Sequence, residues 1–225
     1  MSTHPSHPET ASNAAHWLCA PILPVVLVHT EAQGLAIAEG LLAGGIAQLE
    51  ITLRTPAALP AMHAIAREFP TMRLGAGTVL QTPQFAQAAD AGATLFISPG
   101  LTPLLAEHAQ AHGYAWVPGV ATAGEFMRAL EWGFNTLKFF PAMAAGGPAA
   151  LAAITQPLPH AQVIPTGGIA LDNLAQWKSI SAVKACGGTW LTKWPTPTPD
   201  MPTLTSAQIA AWVQQKATEA LETWQ

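Results

Sequence analysis

Residues 94–103 read Thr94-Leu95-Phe96-Ile97-Ser98-Pro99-Gly100-Leu101-Thr102-Pro103, and the passage holds the plan of the whole chain. Thr94 to Ile97 is a short apolar run with the composition of a strand covered on both faces. Ser98-Pro99-Gly100 is turn chemistry: proline presets φ and glycine accepts the unusual backbone angles. Thr102 then offers a side-chain oxygen to the first free amides of a helix. Pro103 takes the first helical position, where its missing N–H costs nothing. Gly113 ends that helix. A strand, a turn and a capped helix make one βα unit.

The unit recurs outward in both directions. Apolar runs stand at 22–28, 47–52, 72–75, 94–97, 115–117, 136–139, 162–165 and 182–186. They are continuous rather than alternating, as parallel strands under helices should be. Thr55-Pro56 and Thr82-Pro83 repeat the helix start. Thr30 with Gln33, and Thr122 with Glu125, read as capping boxes. Gly44-Gly45, Pro70, Gly92 and Gly133 read as stops. Strand starts recur about every 20–28 residues, the βα period. Eight strands with intervening helices predict an α/β chain folded as a (β/α)8 TIM barrel. It would be a single domain over 1–225 with few insertions, since about 250 residues is typical. A doubly wound open sheet is the alternative, but no Gly-x-Gly-x-x-Gly follows the first run to support its dinucleotide form.

The ends depart from the repeat. Residues 13–19 read as a short N-terminal helix plugging the barrel bottom, and 1–13 as a polar, mobile tail. The proline-rich stretch 194–202 fits neither helix nor inner strand and reads as a stiff extended connector. Ser206 would cap a C-terminal helix with Ile209, Trp212, Val213, Ala217 and Leu221 on one face.

Composition narrows the function. The 225 residues are 50% hydrophobic and 10% charged, which suits a packed core and not a disordered chain. With only 9 Lys and Arg and a net charge of −4, there is no basic stripe for nucleic acid. The polar N-terminus lacks the regions of a signal peptide, and 22–28 is too short to span a bilayer. A cytoplasmic protein with no membrane partner is expected. Cys19 and Cys186 read as reduced, packed thiols. His108 and His112 lie four apart on a helix with no third ligand, so no metal is expected.

In such barrels the reacting groups gather at the C-terminal ends of the strands. Lys138 interrupts the run Thr136-Leu137-Lys138-Phe139-Phe140. A cation there is costly to desolvate, and the neutral amine it can become is able to attack a carbonyl. The competing reading is a lysine that faces outward or pairs with a buried acid, and local composition does not choose between the two. Lys184, in Ala182-Val183-Lys184-Ala185-Cys186, is the rival. Lys178, Lys193 and Lys216 read as solvated. In Leu49-Glu50-Ile51-Thr52-Leu53-Arg54, alternation puts Glu50, Thr52 and Arg54 on one face. A carboxylate suits proton transfer and a guanidinium suits a substrate carboxylate, although a plain ion pair would look the same. Gly167-Gly168 and Gly187-Gly188, the latter followed by Thr189, sit after strands seven and eight, the usual phosphate position in barrels.

Six motifs in order carry a resemblance: Glu50-Ile51-Thr52-Leu53-Arg54-Thr55, Gly75-Ala76-Gly77-Thr78-Val79-Leu80, Ile97-Ser98-Pro99-Gly100, Leu137-Lys138-Phe139-Phe140-Pro141-Ala142, Pro165-Thr166-Gly167-Gly168-Ile169 and Gly187-Gly188-Thr189-Trp190-Leu191. They resemble the bacterial 2-dehydro-3-deoxy-phosphogluconate (KDPG) / 4-hydroxy-2-oxoglutarate (KHG) aldolases, over about residues 21–191. The resemblance implies a homotrimeric barrel and a class I lyase without metal or organic cofactor. It implies that Lys138 is the Schiff-base lysine and that Glu50 moves protons. Arg54 and Thr78 would hold the carboxylate of a 2-oxo acid, and Pro99 and Phe140 would pack on its carbon chain. Thr166 would meet the substrate hydroxyls, while Gly167, Gly168, Gly188 and Thr189 would take a phosphate.

The implied reaction cleaves 2-dehydro-3-deoxy-6-phospho-D-gluconate to pyruvate and D-glyceraldehyde 3-phosphate, as in the Entner–Doudoroff pathway. Cleavage of 4-hydroxy-2-oxoglutarate to pyruvate and glyoxylate is a possible second reaction. Two departures stand out: Thr189 occupies the position of a family serine, and the likeness fades after Leu191. Two other readings of the same residues remain. One is a phosphate-binding isomerase barrel with Glu50 as base, and the other is a catalytically silent barrel that binds a 2-oxo acid.

Overall fold

Every apolar run named above becomes a strand in whole or in part, and all the strand pairs are parallel. The computed structural model describes residues 13–194 and 204–225. The expected tail and proline-rich connector, apart from Asn13 and Trp194, lie outside the described residues.

The strands are β1 (Ile22–Val26), β2 (Gln48–Thr52), β3 (Arg73–Gly77), β4 (Leu95–Ile97), β5 (Trp116–Val117), β6 (Gly119–Val120), β7 (Thr136–Phe139), β8 (Gln162–Pro165) and β9 (Cys186–Gly188). The helices are α1 (Asn13–Trp17), α2 (Glu31–Ala43), α3 (Ala58–Glu68), α4 (Pro83–Asp90), α5 (Pro103–His112), α6 (Ala123–Glu131), α7 (Gly147–Thr155), α8 (Leu174–Lys178) and α9 (Ser206–Trp224). This is an α/β fold of alternating parallel strands and helices. None of the described helices is long and apolar enough to cross a membrane.

The ladder differs from the expected single ring. Its hydrogen bonds form a six-stranded sheet, β5-β4-β3-β2-β1-β9, and a three-stranded sheet, β6-β7-β8. The expected fifth run forms β5, and a second short strand that was not expected, β6, follows it across Pro118. A proline has no N–H to give the ladder, so β5 pairs only with β4 and β6 only with β7. Pro118 still accepts, through its carbonyl, from the amide of Lys138 at 2.9 Å. Between β8 and β9 the contact is reduced to isolated bridges, Val163 with Val183 and Thr166 with Gly187. The eighth run, expected at 182–186, accordingly becomes a strand only from Cys186.

Two apolar layers hold the strands. Leu49, Ile51, Leu74, Ala76, Phe96, Leu137, Phe139 and Val163 pack beneath the helices. The opposite faces of both sheets meet in a smaller cluster of Leu23, Leu95, Ile97, Val117 and Ile164, closed off by Ala14 and Trp17 of α1. The expected plug is therefore present. Trp17 donates its indole N–H to Thr94 Oγ1 at 2.8 Å, and Arg73 Nη1 donates to the carbonyls of His16 and Trp17 at 3.0 and 2.6 Å. Buried Gln48 ties the same end down, accepting from Cys19 N and donating to the carbonyls of Ala20 and Ile22. Cys186 is packed as expected, and burial pushes its thiol up to about 12. Cys19 is instead exposed.

Three of the six expected helix caps form. Thr102 and Thr122 accept from Leu105 N and Glu125 N, and Thr122 with Glu125 forms a full capping box. Thr30 caps α2, but Gln33 reaches back to His29 N rather than to Thr30 N. Thr82 makes no side-chain cap hydrogen bond. Thr55 is not a cap: α3 begins at Ala58, and the Thr55 hydroxyl donates to Val28 O at 2.6 Å. The last helix is capped by Thr205, one residue before the expected Ser206.

α9 packs along α2 through glycines. A Cβ on Gly40 would run into the carbonyl of Ala210 and the Cβ of Val213. Gly40→Val is expected to lower unfolding free energy by about 1–3 kcal/mol through overpacking, read from the urea midpoint.

Candidate active site

Glu50 and Lys138 lie 88 residues apart in sequence and on different sheets, yet they meet. Lys138 Nζ is 2.9 Å from Glu50 Oε1 and 3.4 Å from Oε2. Their side chains are 8% and 1% exposed, so water screens the pair poorly.

Strand parity explains the meeting. On β2, Leu49 and Ile51 go under the helices, which leaves Gln48, Glu50 and Thr52 for the other face. On β7, Leu137 and Phe139 do the same, leaving Thr136 and Lys138. Room for the carboxylate comes from Gly77, where a Cβ would collide with Glu50 Oε1. Gly119 does the same for the Pro99 carbonyl. The sequence argument pictured Lys138 as a lone cation in an apolar strand. The structure gives it both the inward orientation and a buried acid, joining two readings that had been opposed.

The pair sits in a cavity of about 190 Å³ at the C-terminal ends of the strands. All the residues singled out from the sequence line it. Arg54 follows β2, Thr78 follows β3, and Pro99 follows β4 in the turn closed by Ser98 Oγ donating to Gly100 O at 2.6 Å. Phe140 follows β7, with its ring centroid 5.5 Å from Lys138 Nζ, and precedes a cis peptide to Pro141. Thr166, Gly167 and Gly168 follow β8, and Gly188 and Thr189 end and follow β9. Gly167 and Gly168 have φ of 105° and 77°, angles that need glycine. Thr78 has φ of 60°, unusual for a β-branched residue and the only non-glycine of that kind among the described residues.

Four lining residues were not on the expected site list: Val25, Thr52, Ile169 and Lys193. Thr52 was legible as inward-facing, and its hydroxyl donates to Val26 O at 3.1 Å. Val25 shares the inward parity of Leu23. Lys193 had read as a solvated lysine. It is indeed exposed, but it lies at the cavity rim just past the 3-10 turn Trp190–Thr192. Nothing in the local sequence signals that placement.

Lys184, the rival lysine, is out of reach. It is exposed, donates weakly to Ser181 O at 3.5 Å, and lines a larger open cleft at the N-terminal ends of β7 and β8. The His108 and His112 rings lie tilted with centroids 4.2 Å apart, and His108 is held below the usual imidazole range by burial and then by its neighbour. Among the described residues, no His, Cys, Asp and Glu side chains gather in a group of three or more.

The arrangement unites a lysine amine, a carboxylate within hydrogen-bond distance of it, two exposed cations at the rim and glycine turns. The model of the family described as "KDPG and KHG aldolase" matches residues 15–203. The 2-dehydro-3-deoxy-phosphogluconate aldolase of Pseudomonas aeruginosa is 45% identical over 172 residues, covering 76% of this chain and 78% of the relative. The crystal structure of the Zymomonas mobilis 2-keto-3-deoxy-6-phosphogluconate aldolase with 3-phosphoglycerate superposes with a TM-score of 0.82 at 36% identity, covering 94% of each chain. The Legionella pneumophila KDPG aldolase, with pyruvate captured as a covalent carbinolamine, gives 0.81 at 34% identity, covering 94% of this chain and 97% of that one.

Proposed function

Since the chain belongs to the KDPG and KHG aldolase family, we propose that it is a class I aldolase cleaving 2-dehydro-3-deoxy-6-phospho-D-gluconate to pyruvate and D-glyceraldehyde 3-phosphate, with Lys138 as its nucleophile. The observation that carries the assignment is the buried contact of 2.9 Å between Lys138 Nζ and Glu50 Oε1. An amine and a carboxylate so placed can pass one proton back and forth without help from solvent.

Transfer of the ammonium proton to Glu50 frees the Lys138 amine, which attacks the C2 ketone. The carbinolamine hydroxyl takes that proton back from Glu50 and leaves as water, giving an iminium. Glu50, directly or through a water, then accepts the C4 hydroxyl proton as the C3–C4 bond breaks. The aldehyde departs and the bond's electron pair settles into an enamine. The same carboxyl returns the proton to C3, and water hydrolyses the iminium to pyruvate and the Lys138 ammonium, which restores the starting ion pair with Glu50. The iminium is itself the electron sink, so the route calls for neither metal nor organic cofactor.

Arg54 and Thr78 hold the substrate carboxylate and turn C2 toward Lys138. Pro99 and Phe140 pack on the three-carbon unit, and Thr166 meets the hydroxyls. Gly167, Gly168, Gly188 and Thr189 present N–H and hydroxyl donors to the phosphate. The shorter 4-hydroxy-2-oxoglutarate carries the same carboxylate, ketone and C4 hydroxyl, so it is a second substrate. The isomerase alternative has no use for the lysine against its base.

The reading extends to the fold. We take residues 1–225 as one domain and the two sheets as one (β/α)8 barrel, on the continuity of the chain through Pro118, the bridges between β8 and β9, and the interior cluster shared by both sheets. A homotrimer and a cytoplasmic location rest on the family resemblance alone.

Incubation with pyruvate and borohydride, followed by peptide mass mapping, tests the assignment. A mass gain on the peptide holding Lys138 is expected. Labelling of Lys184, or of no lysine, would overturn it.

A further inference from the structure

Resting on the aldolase reading, we propose that Lys193 is a specificity-determining residue whose ammonium takes the phosphate of the substrate. It would thereby set the preference for phosphorylated over unphosphorylated sugar acids.

The cavity is more basic than its surroundings. The chain has 9 Lys and Arg and a net charge of −4, yet three of those cations, Arg54, Lys138 and Lys193, line one cavity of about 190 Å³. Glu50 is the one carboxylate among the described lining residues, and Lys138 already occupies it. Arg54 and Lys193 are thus left as exposed cations with no side-chain partner among the described residues. The ion pairs found there are Lys138 with Glu50 and Lys216 with Glu219. Two free cations at the rim of an acidic protein's cavity suit a ligand with two anionic ends.

The geometry divides those ends. Arg54 follows β2 and neighbours Glu50 in the chain, so it belongs to the carboxylate beside the reacting ketone. Lys193 stands four residues beyond Thr189 on the segment that leaves β9. The turn Trp190–Thr192 folds that segment back, with Lys193 N donating to Trp190 O at 3.3 Å and the Trp190 ring laid against Gly188. The Lys193 stem is therefore anchored to the same short piece of chain that offers Gly188 and Thr189 to the cavity. Backbone N–H groups supply dipoles but no charge. A phosphate ester near neutral pH carries between one and two negative charges, and a lysine is the mobile point charge that completes the site. A family serine replaced by Thr189 leaves the hydroxyl in place, so Lys193 adds to the donors there and does not substitute for one.

The test compares wild type with Lys193→Ala and Lys193→Arg. Pyruvate release is followed from 2-dehydro-3-deoxy-6-phospho-gluconate and from its unphosphorylated counterpart. For Lys193→Ala the ratio of kcat/KM values, phosphorylated over unphosphorylated, should fall about 10-fold, the contribution of one charge-assisted hydrogen bond. The fall should appear in KM for the phosphorylated substrate rather than in kcat, and Lys193→Arg should recover most of it. An unchanged ratio, or equal losses on both substrates, would overturn the proposal. Affinity for 3-phosphoglycerate, measured by calorimetry, should weaken by a similar factor in Lys193→Ala. Equal affinity in wild type and variant would refute the phosphate contact even if no pyruvate is released from either substrate. Borohydride trapping on the wild-type protein judges the aldolase reading separately. Lys193 is exposed, so its replacement should leave the folded state within about 0.5 kcal/mol of wild type.

Discussion

Lys138→Met is expected to lower pyruvate release by about 10⁴–10⁶-fold, the range seen when an enzyme loses its nucleophile. A variant retaining more than about a hundredth of wild-type turnover would defeat the covalent mechanism and favour a lysine-independent one. The thioether is close in length to the lysine stem, so the cavity wall persists, but Glu50 is left buried without its counter-ion. An orphaned buried charge of this kind costs several kcal/mol, or it is relieved by taking up a proton. Loss of activity in this variant could therefore be a loss of fold. Lys138→Arg separates the two. It keeps a cation against Glu50, yet a guanidinium does not give up its proton and cannot attack a ketone. Arginine at this position should fold, shown by an unchanged circular dichroism spectrum and urea midpoint close to wild type, and should neither turn over nor trap pyruvate. A folded, active arginine variant would exclude the Schiff base outright.

Glu50→Gln should lower kcat by about 10²–10⁴-fold, the usual contribution of a positioned general acid–base. The amide keeps the size of the carboxyl and can still accept from Lys138 Nζ, but it does not carry a proton through the cycle. Imine formation and cleavage both slow, and the two can be told apart. Borohydride should still label Lys138 after long incubation with pyruvate, because the nucleophile remains, whereas multiple turnovers on the sugar acid should almost cease. If the variant kept wild-type kcat, another group would have to move the C4 proton. Among the described residues, the cavity lining contains no other carboxylate for that task.

The βα plan was legible from short-range chemistry. Thr102-Pro103 and Thr122 with Glu125 act locally, within one helical turn, so their caps could be named without knowing the fold. Thr55-Pro56 looked equivalent and failed, because the Thr55 hydroxyl is claimed by Val28 O in the segment that follows β1. The fifth run was found, but β6 beyond it was missed for a local reason: Pro118 ends the apolar pattern and breaks the ladder by its missing donor, while pairing resumes at Gly119. Residues 182–185 are apolar enough for a strand, but no continuous ladder reaches them. Hydrogen-bond pairing, unlike hydropathy, depends on where the neighbouring strand ends.

The candidate site divides in the same way. The identity of its members was present in the sequence, because each motif stands at the end of a strand and its residue types suit one chemistry. The direction of Lys138 was not. In a run buried on both faces, hydropathy carries no record of which face looks inward, and Lys138 and Lys184 looked alike. That choice was made by β7 placing Leu137 and Phe139 under the helices, and by β2 bringing Glu50 to within 2.9 Å from the other sheet. Lys193 is the extreme case, since its own neighbours in sequence describe a solvated lysine. By itself the sequence determined the alternation of strands and helices, the caps at Thr30, Thr102 and Thr122, and the family, all matters of local propensity and ordered motifs. Only the tertiary structure decided which lysine meets a carboxylate and which lysine reaches the cavity rim. Those are contacts between residues far apart in the chain, and they exist only once the strands have packed side by side.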